Sequence, residues 1–140
     1  MTTESAECAA RLEEKCFSAP WSVSALEESA FRADGVFRCA YINGEFAGHA
    51  GMLCVLDEGQ VCNIAVEQSY RRIGVGRALV EALIEEARNR HLSVLYLEVR
   101  ASNTPAQRLY ESFGFEKVGA RRAYYENPRE DAFLYNLYLK

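Results

Sequence analysis

The chain has 140 residues, of which 49% are hydrophobic and 26% charged, and its formal net charge is −4. That length suits one core, so a single domain spanning residues 1–140 is expected. The acidic balance excludes the broad basic surface of a general nucleic-acid binder, and no apolar run approaches the ~20 residues of a membrane span.

The opening residues Met1 to Ser5 are polar and lead into charged sequence, without the basic start or apolar middle of a signal peptide. A cytoplasmic location is therefore expected. Cys8, Cys16, Cys39, Cys54 and Cys62 are odd in number, widely spaced and free of any CxxC pair. Neither a zinc site nor a disulfide framework fits them, and each reads as a small buried apolar residue. The mild acidity suits a cationic partner such as a basic peptide or an amine.

Residues 4–17 carry Ala9, Leu12, Cys16 and Phe17 at helical spacing, with charges between them. Ser18-Ala19-Pro20-Trp21 breaks this helix, and Ser24 with Glu27 has the form of a capping box for a second helix reaching about Arg32. Val36 to Ile42 and Glu45 to Val55 read as strands joined by Asn43-Gly44, a two-residue hairpin signal. Asp57-Glu58-Gly59 turns the chain into a third strand, Gln60 to Val66.

Gly74 to Arg90 is the clearest helix, with Leu79, Val80, Leu83, Ile84 and Ala87 on one stripe. Val94 to Val99 is a nearly continuous apolar run, as in a strand covered on both faces. Thr104 as N-cap, Pro105 in the first turn and Gln107 as capping-box partner open another helix, which Gly114 ends. Phe115 to Ala123 and Ala132 to Leu139 complete a mixed α/β sheet. His49, within a strand, and His91, at a helix end, read as structural.

Chemistry concentrates where the third strand meets the clearest helix, at Arg71-Arg72-Ile73-Gly74-Val75-Gly76-Arg77. N–H groups at a helix start lack intrahelical partners, and the helix dipole makes that end positive. Glycine lets backbone approach an anion, and Arg71, Arg72 and Arg77 add charge, so the segment describes a phosphate site. Leu79 stands where a dinucleotide fingerprint needs its third small residue, and the Gly-Lys-Ser/Thr of a Walker loop is missing.

Asn63-Ile64-Ala65-Val66 followed by Tyr70 to Leu79 resembles the coenzyme A motif of the GNAT acetyltransferase superfamily. Leu97-Glu98-Val99-Arg100-Ala101-Ser102-Asn103, Leu109 to Phe115, Arg121-Arg122-x-Tyr124-Tyr125 and Arg129 to Ala132 resemble its RimI branch. The likeness runs from Phe17-Ser18-x-Pro20-Trp21 to the C-terminus. It implies a GNAT fold, a mixed and mostly antiparallel central sheet flanked by helices. Only about five polar residues precede the first helix, so the strand that usually opens this fold is expected to be short or missing.

An amine attacks a thioester only when unprotonated, and an α-amino group has a pKa of about 7.7–8.0, so a modest base suffices. On the residues alone, Glu98 ends an apolar strand, where desolvation would raise its pKa, but it could equally pair with an arginine. Tyr110 on the residues alone is an ordinary helix aromatic. The resemblance makes Glu98 the general base and Tyr110 the general acid for the leaving thiolate. It also gives acetyl-CoA as co-substrate, with Ile64, Ala65 and Val66 pairing their backbone with the pantetheine arm. The Val66 N–H would polarise the thioester carbonyl, and Asn103 would contact coenzyme A rather than serve only as a turn residue.

The implied acceptor is the N-terminal peptide of a small-subunit ribosomal protein, the one numbered eighteen, acetylated on its N-terminal alanine. Transfer would be direct within a ternary complex, with no metal, no nucleic acid and no membrane involved. Trp21 and Tyr124-Tyr125 either wall a peptide groove or pack locally, and Asp57 and Glu58 either attract a basic peptide or are solvated turn residues. Another N-terminus, a lysine or a small amine remains an alternative acceptor. A coenzyme A-binding module without turnover is an alternative of another class.

Overall fold

The computed structural model describes residues 3–17, 20–31, 34–126 and 128–139. In chain order the elements are α1 (Thr3–Cys16), α2 (Val23–Phe31), β1 (Gly35–Ile42), β2 (Glu45–Val55), β3 (Glu58–Val66), α3 (Val75–Asn89), β4 (Val94–Arg100), α4 (Thr104–Ser112), β5 (Glu116–Tyr125) and β6 (Glu130–Tyr138). The strands form one sheet ordered β1-β2-β3-β4-β6-β5, and only the β3–β4 pair is parallel. This is the expected mixed, mostly antiparallel sheet flanked by helices. Residues 1 and 2, where the expected short first strand would lie, are outside the described residues.

Local sequence explains the elements. Asn43 and Gly44 both take positive φ, 49° and 83°, in the tight turn their dipeptide predicts. In α3 the predicted stripe of Leu79, Val80, Leu83, Ile84 and Ala87 is buried, joined by Val75. These side chains pack with Leu95, Leu97 and Val99 of β4 and with Tyr110 and Phe115 as the main core. A second cluster, Ala6, Ala9, Ala10 and Leu26 with Trp21, Phe37 and Phe46, seats α1 and α2 on the opposite face. Strand alternation puts Tyr96, Glu98 and Arg100 on that opposite face too, away from the α3 core.

Several boundaries differ from the sequence reading. The cap of α2 is Ser22 rather than Ser24: its Oγ accepts the Ala25 N–H at 3.1 Å, the reach an N-cap needs. Arg32, the expected end of that helix, lies outside the described residues, as do Ser18 and Ala19 of the preceding break. Asn103 rather than Thr104 caps α4, its side chain accepting the Ala106 N–H at 3.2 Å. Gln107 forms no capping box; its amide donates to the Arg100 and Ala101 carbonyls. Leu56 and Asp57 make the β2–β3 turn, so Glu58 and Gly59 already belong to β3. All five cysteines are free and half-buried rather than core residues.

Candidate active site

The third strand leads through a single 3₁₀ turn, Gln68–Tyr70, into the loop ahead of α3. Arg72 and Gly74 both take left-handed conformations there, with φ of 65° and 96°. Gly74 is the N-cap, and no side chain caps the helix. The first backbone bond of α3 runs from Ala78 N–H to Gly74 O at 3.0 Å, so the N–H groups of Val75, Gly76 and Arg77 precede the helical ladder, as an anion site requires. Arg72, Ile73 and Gly74 are exposed. A Cβ on Gly74 would meet nothing within 4 Å.

The arginines differ in what they do. Arg71 turns back to the end of β3, donating from Nε to the Val66 carbonyl at 3.0 Å and approaching Cys16 Sγ at 3.6 Å. Arg77 donates to Ser112 Oγ at 3.1 Å and lies 4.7 Å above the Phe113 ring, tying the start of α3 to the end of α4. Arg72 extends from the left-handed turn into solvent.

Beside this loop the sheet opens. Strands β3 and β4 pair only through Glu58–Val94, Gly59–Leu95 and Gln60–Tyr96. Beyond Gln60, β3 stays on β2 while β4 stays on β6. Cys62 is the extra residue of a bulge opposite Gly51 and Met52 at the point of parting. Ile64, Ala65 and Val66 therefore run along an edge with no strand on its β4 side. The Glu67 N–H donates to Ala47 O at 2.7 Å, toward β2. By strand alternation the Val66 N–H points the other way, into the gap. The starts of α3 and α4 follow the carboxyl ends of this parallel pair, the position where α/β sheets hold ligands.

Glu98 stands half-buried on β4 beyond the parting point. Its carboxylate lies near enough to Cys62, Tyr96 and Tyr125 to contribute to holding each of those groups above its usual pKa. Tyr110 is buried on α4, its ring 5.7 Å from that of Phe115. Burial, and then Tyr125, pushes its phenol well above the ordinary range. Tyr125 is itself pushed up to about 12, first by burial and then by Glu98. A phenol thus stands in the electrostatic neighbourhood of both Glu98 and Tyr110.

Tyr125 is held by a feature that composition and motif reading missed. The Arg100 guanidinium donates to the Pro128 and Glu126 carbonyls at 3.0 and 3.1 Å, lies 3.5 Å from Glu130 Oε2, and sits 4.4 Å over the Tyr125 ring. Opposite it, Arg122 to Tyr124 bulge against the single residue Asp131. Ala123 takes φ 51° there, and Asp131 Oδ1 accepts its N–H at 2.7 Å. Tyr124 and Tyr125 meet edge to face at 5.0 Å, while Asn127 lies outside the described residues. Trp21 packs on Phe37, with ring centres 6.0 Å apart. Asp57 sits toward the other end of β4, accepting from the Ser93 hydroxyl. Of the histidines, His49 is buried in β2 and His91 takes φ 60° after α3.

An uncapped helix start, a strand edge open to one side and a half-buried carboxylate beyond the parting point fit an enzyme that moves an acyl group from a phosphate-bearing carrier, while the Tyr110 phenol lies buried in the main core. The chain belongs to the acetyltransferase (GNAT) family, whose sequence profile matches residues 7–115. It is 40% identical over 136 residues to the ribosomal protein bS18-alanine N-acetyltransferase of Escherichia coli K12, spanning 96% of this chain and 91% of that one. Identity to the Salmonella typhimurium enzyme of the same name is 37% over 142 residues, again 96% and 91% of the two chains. The crystal structure of the ribosomal-protein-S18-alanine N-acetyltransferase from Escherichia coli matches with TM-score 0.89 and 38% identity, covering 100% of this chain and 91% of that one. Ard1 from Thermoplasma volcanium shares the fold at 21% identity, with TM-score 0.90 over 100% and 95% of the two chains.

Proposed function

We propose that this protein transfers the acetyl group of acetyl-CoA to the N-terminal alanine of the small-subunit ribosomal protein bS18. The observation that carries the acceptor is the 40% identity across 96% of the chain to an enzyme bearing that activity in its name. The parted β3–β4 edge, with the uncapped start of α3 beside it, supports acetyl-CoA as the donor.

Within this reading the N–H groups of Val75, Gly76 and Arg77 hold the pyrophosphate, with Arg71, Arg72, Ile73 and Gly74 shaping the turn around it. The edge of Ile64, Ala65 and Val66 receives the pantetheine arm as an added strand would be received. When bound, acetyl-CoA supplies an acetyl thioester. The Val66 N–H donates to its carbonyl oxygen, which gains charge as the amine adds. Asn103 spends its side-chain oxygen on the α4 cap and turns its amide nitrogen to the coenzyme.

Glu98 takes the proton that the attacking amine must lose, directly or through one water. Tyr110, kept neutral by burial, carries a proton to donate to the sulfur as the C–S bond breaks. The residues need no metal for this chemistry, and a protonated or blocked amine is no substrate.

The test mixes the protein with acetyl-CoA and a peptide copying the bS18 N-terminus, reading free-thiol release and peptide mass. Acetylation of the alanine amine is expected. Release with lysine-bearing or small amines but not with the peptide would move the acceptor elsewhere. Acetyl-CoA binding without release across all of them would leave a binding module.

A further inference from the structure

A polar cluster outside this chemistry lies beneath the same face of the sheet. Glu13 is wholly buried and His49 is 1% exposed. Glu13 occupies the apolar stripe of α1, one turn after Ala9 and Ala10. Its Oε1 accepts from Asn63 Nδ2 at 2.7 Å and from the Trp21 N–H at 3.1 Å. Its Oε2 lies 3.2 Å from His49 Nε2, a close approach without the alignment of a hydrogen bond. One carboxylate therefore joins α1, β2, β3 and the segment ahead of α2.

Burying such a group is costly, and a well-packed hydrocarbon in its place is often as stable or more so. What the carboxylate adds is placement. Asn63 immediately precedes the open edge of Ile64 to Val66 and follows the Cys62 bulge where β3 leaves β4. Trp21 lies in the α1–α2 segment and is the only tryptophan in the chain. The cluster backs onto the catalytic face, since Glu98 and Glu13 both lie near enough to Cys62 to raise its thiol.

We infer that Glu13, braced by His49 and Asn63, is a positioning residue for the acceptor: it fixes the backbone at Trp21 against β3 and so sets one wall of the trough that presents the peptide amine to Glu98. The inference rests on the peptide-acetyltransferase reading above. It assigns Glu13 no contact with either substrate; losing the Trp21 anchor disturbs the peptide, while the Ile64–Val66 edge stays held by its ladder to β2, so acetyl-CoA binding changes less.

Kinetics with each substrate varied in turn, plus Trp21 emission, test this. Glu13→Ala is expected to lower kcat/KM for an Ala-starting peptide by about tenfold or more, the size of a lost hydrogen bond to a charged group. The acetyl-CoA KM should stay within about twofold, and Trp21 emission should shift to the red. Glu13→Gln keeps the oxygen that accepts from Trp21 and Asn63 and should recover most of the peptide kcat/KM. If Glu13→Ala does not fold, Asn63→Ala, at a half-exposed position, cuts one limb of the cluster and should show the same split. A folded variant with native peptide kcat/KM, or with both substrates weakened in step, overturns the inference. A wild-type protein inactive on the peptide counts against the function instead, and unchanged Trp21 emission in Glu13→Ala would still refute the anchoring.

Discussion

Alanine at Gly74 and at Gly76 separates the conformation of the phosphate loop from the space around it. Gly74 has φ 96°, where the Cβ of an L-residue crowds the following carbonyl at a cost of roughly 1–2 kcal/mol. That Cβ would meet no atom within 4 Å, so the cost is wholly backbone. For a chain of this size it corresponds to a fall in Tm of roughly 3–8 °C. It should also raise the acetyl-CoA KM, because relaxing the strain turns the N–H groups of the first helical turn. Gly76 lies outside the left-handed region, and its Cβ would sit 3.5 Å from Leu109 Cδ2 and 3.7 Å from Val66 Cγ2. Those are ordinary van der Waals contacts with neighbouring side chains. Alanine there removes backbone freedom from the unfolded chain, a gain of up to about 1 kcal/mol in a helix. Gly76→Ala should therefore melt at or above the wild-type temperature, with an acetyl-CoA KM within about threefold of wild type. Thermal melts with and without coenzyme A and acetyl-CoA titrations at fixed peptide measure both. The reasoning fails if Gly74→Ala matches wild type in Tm and KM, or if Gly76→Ala is as damaging as Gly74→Ala.

Other substitutions probe the chemistry and its supports. Glu98→Gln should lose roughly 10²–10⁴ in kcat while still binding acetyl-CoA, and recover in part above about pH 8, where the acceptor amine is already free; a pH-independent wild-type rate would refute a base at this position. Tyr110 and Tyr125 have phenols raised above their unfolded values, so the stability they contribute is full below about pH 10 and is lost as pH rises through their folded values. Tyr110→Phe should accordingly flatten the alkaline fall in unfolding free energy, and lower kcat at neutral pH, with acetyl-CoA binding kept. Asn103→Ala removes the α4 cap and should cost about 1 kcal/mol by denaturant unfolding; no change in midpoint would mean the cap carries nothing. Arg100→Lys keeps the charge but cannot span two carbonyls and a carboxylate, so peptide kcat/KM should drop while the acetyl-CoA KM holds, as steady-state kinetics will report.

What the sequence made legible followed from periodicity and turn chemistry. The stripe from Leu79 to Ala87 predicted the buried face of α3 residue by residue, and Asn43-Gly44 predicted its turn. The turn at Gly74 and the helix start after it were recognisable in the run from Arg71 to Gly76, because glycine readily takes the left-handed conformation found there. The caps were misplaced because Ser22 and Ser24, or Asn103 and Thr104, are equally good by residue type; only the reach to Ala25 and Ala106 decides between them. The parting of β3 from β4 had no local signal, since it depends on which partner each strand keeps. Glu13 did leave a trace, a carboxylate on an apolar stripe, but its partners Asn63 and His49 lie 50 and 36 positions away. Arg100 likewise reads as the polar end of a strand until the loop it grips is folded against it.

The short β3–β4 seam has a thermodynamic consequence. Three residue pairs join the half-sheet β1-β2-β3 to the half-sheet β4-β6-β5, so the weakest line of the sheet runs beside the edge proposed to receive the donor. A ligand lying along both lips of that seam completes the hydrogen bonding the strands leave open. Donor binding and sheet cohesion then draw on the same free energy: at coenzyme A about a hundred times its Kd, the folded state gains about 2.7 kcal/mol. With the donor held at that proposed edge, a rise in acetyl-CoA is expected to raise the protein's resistance to unfolding as well as its rate of work.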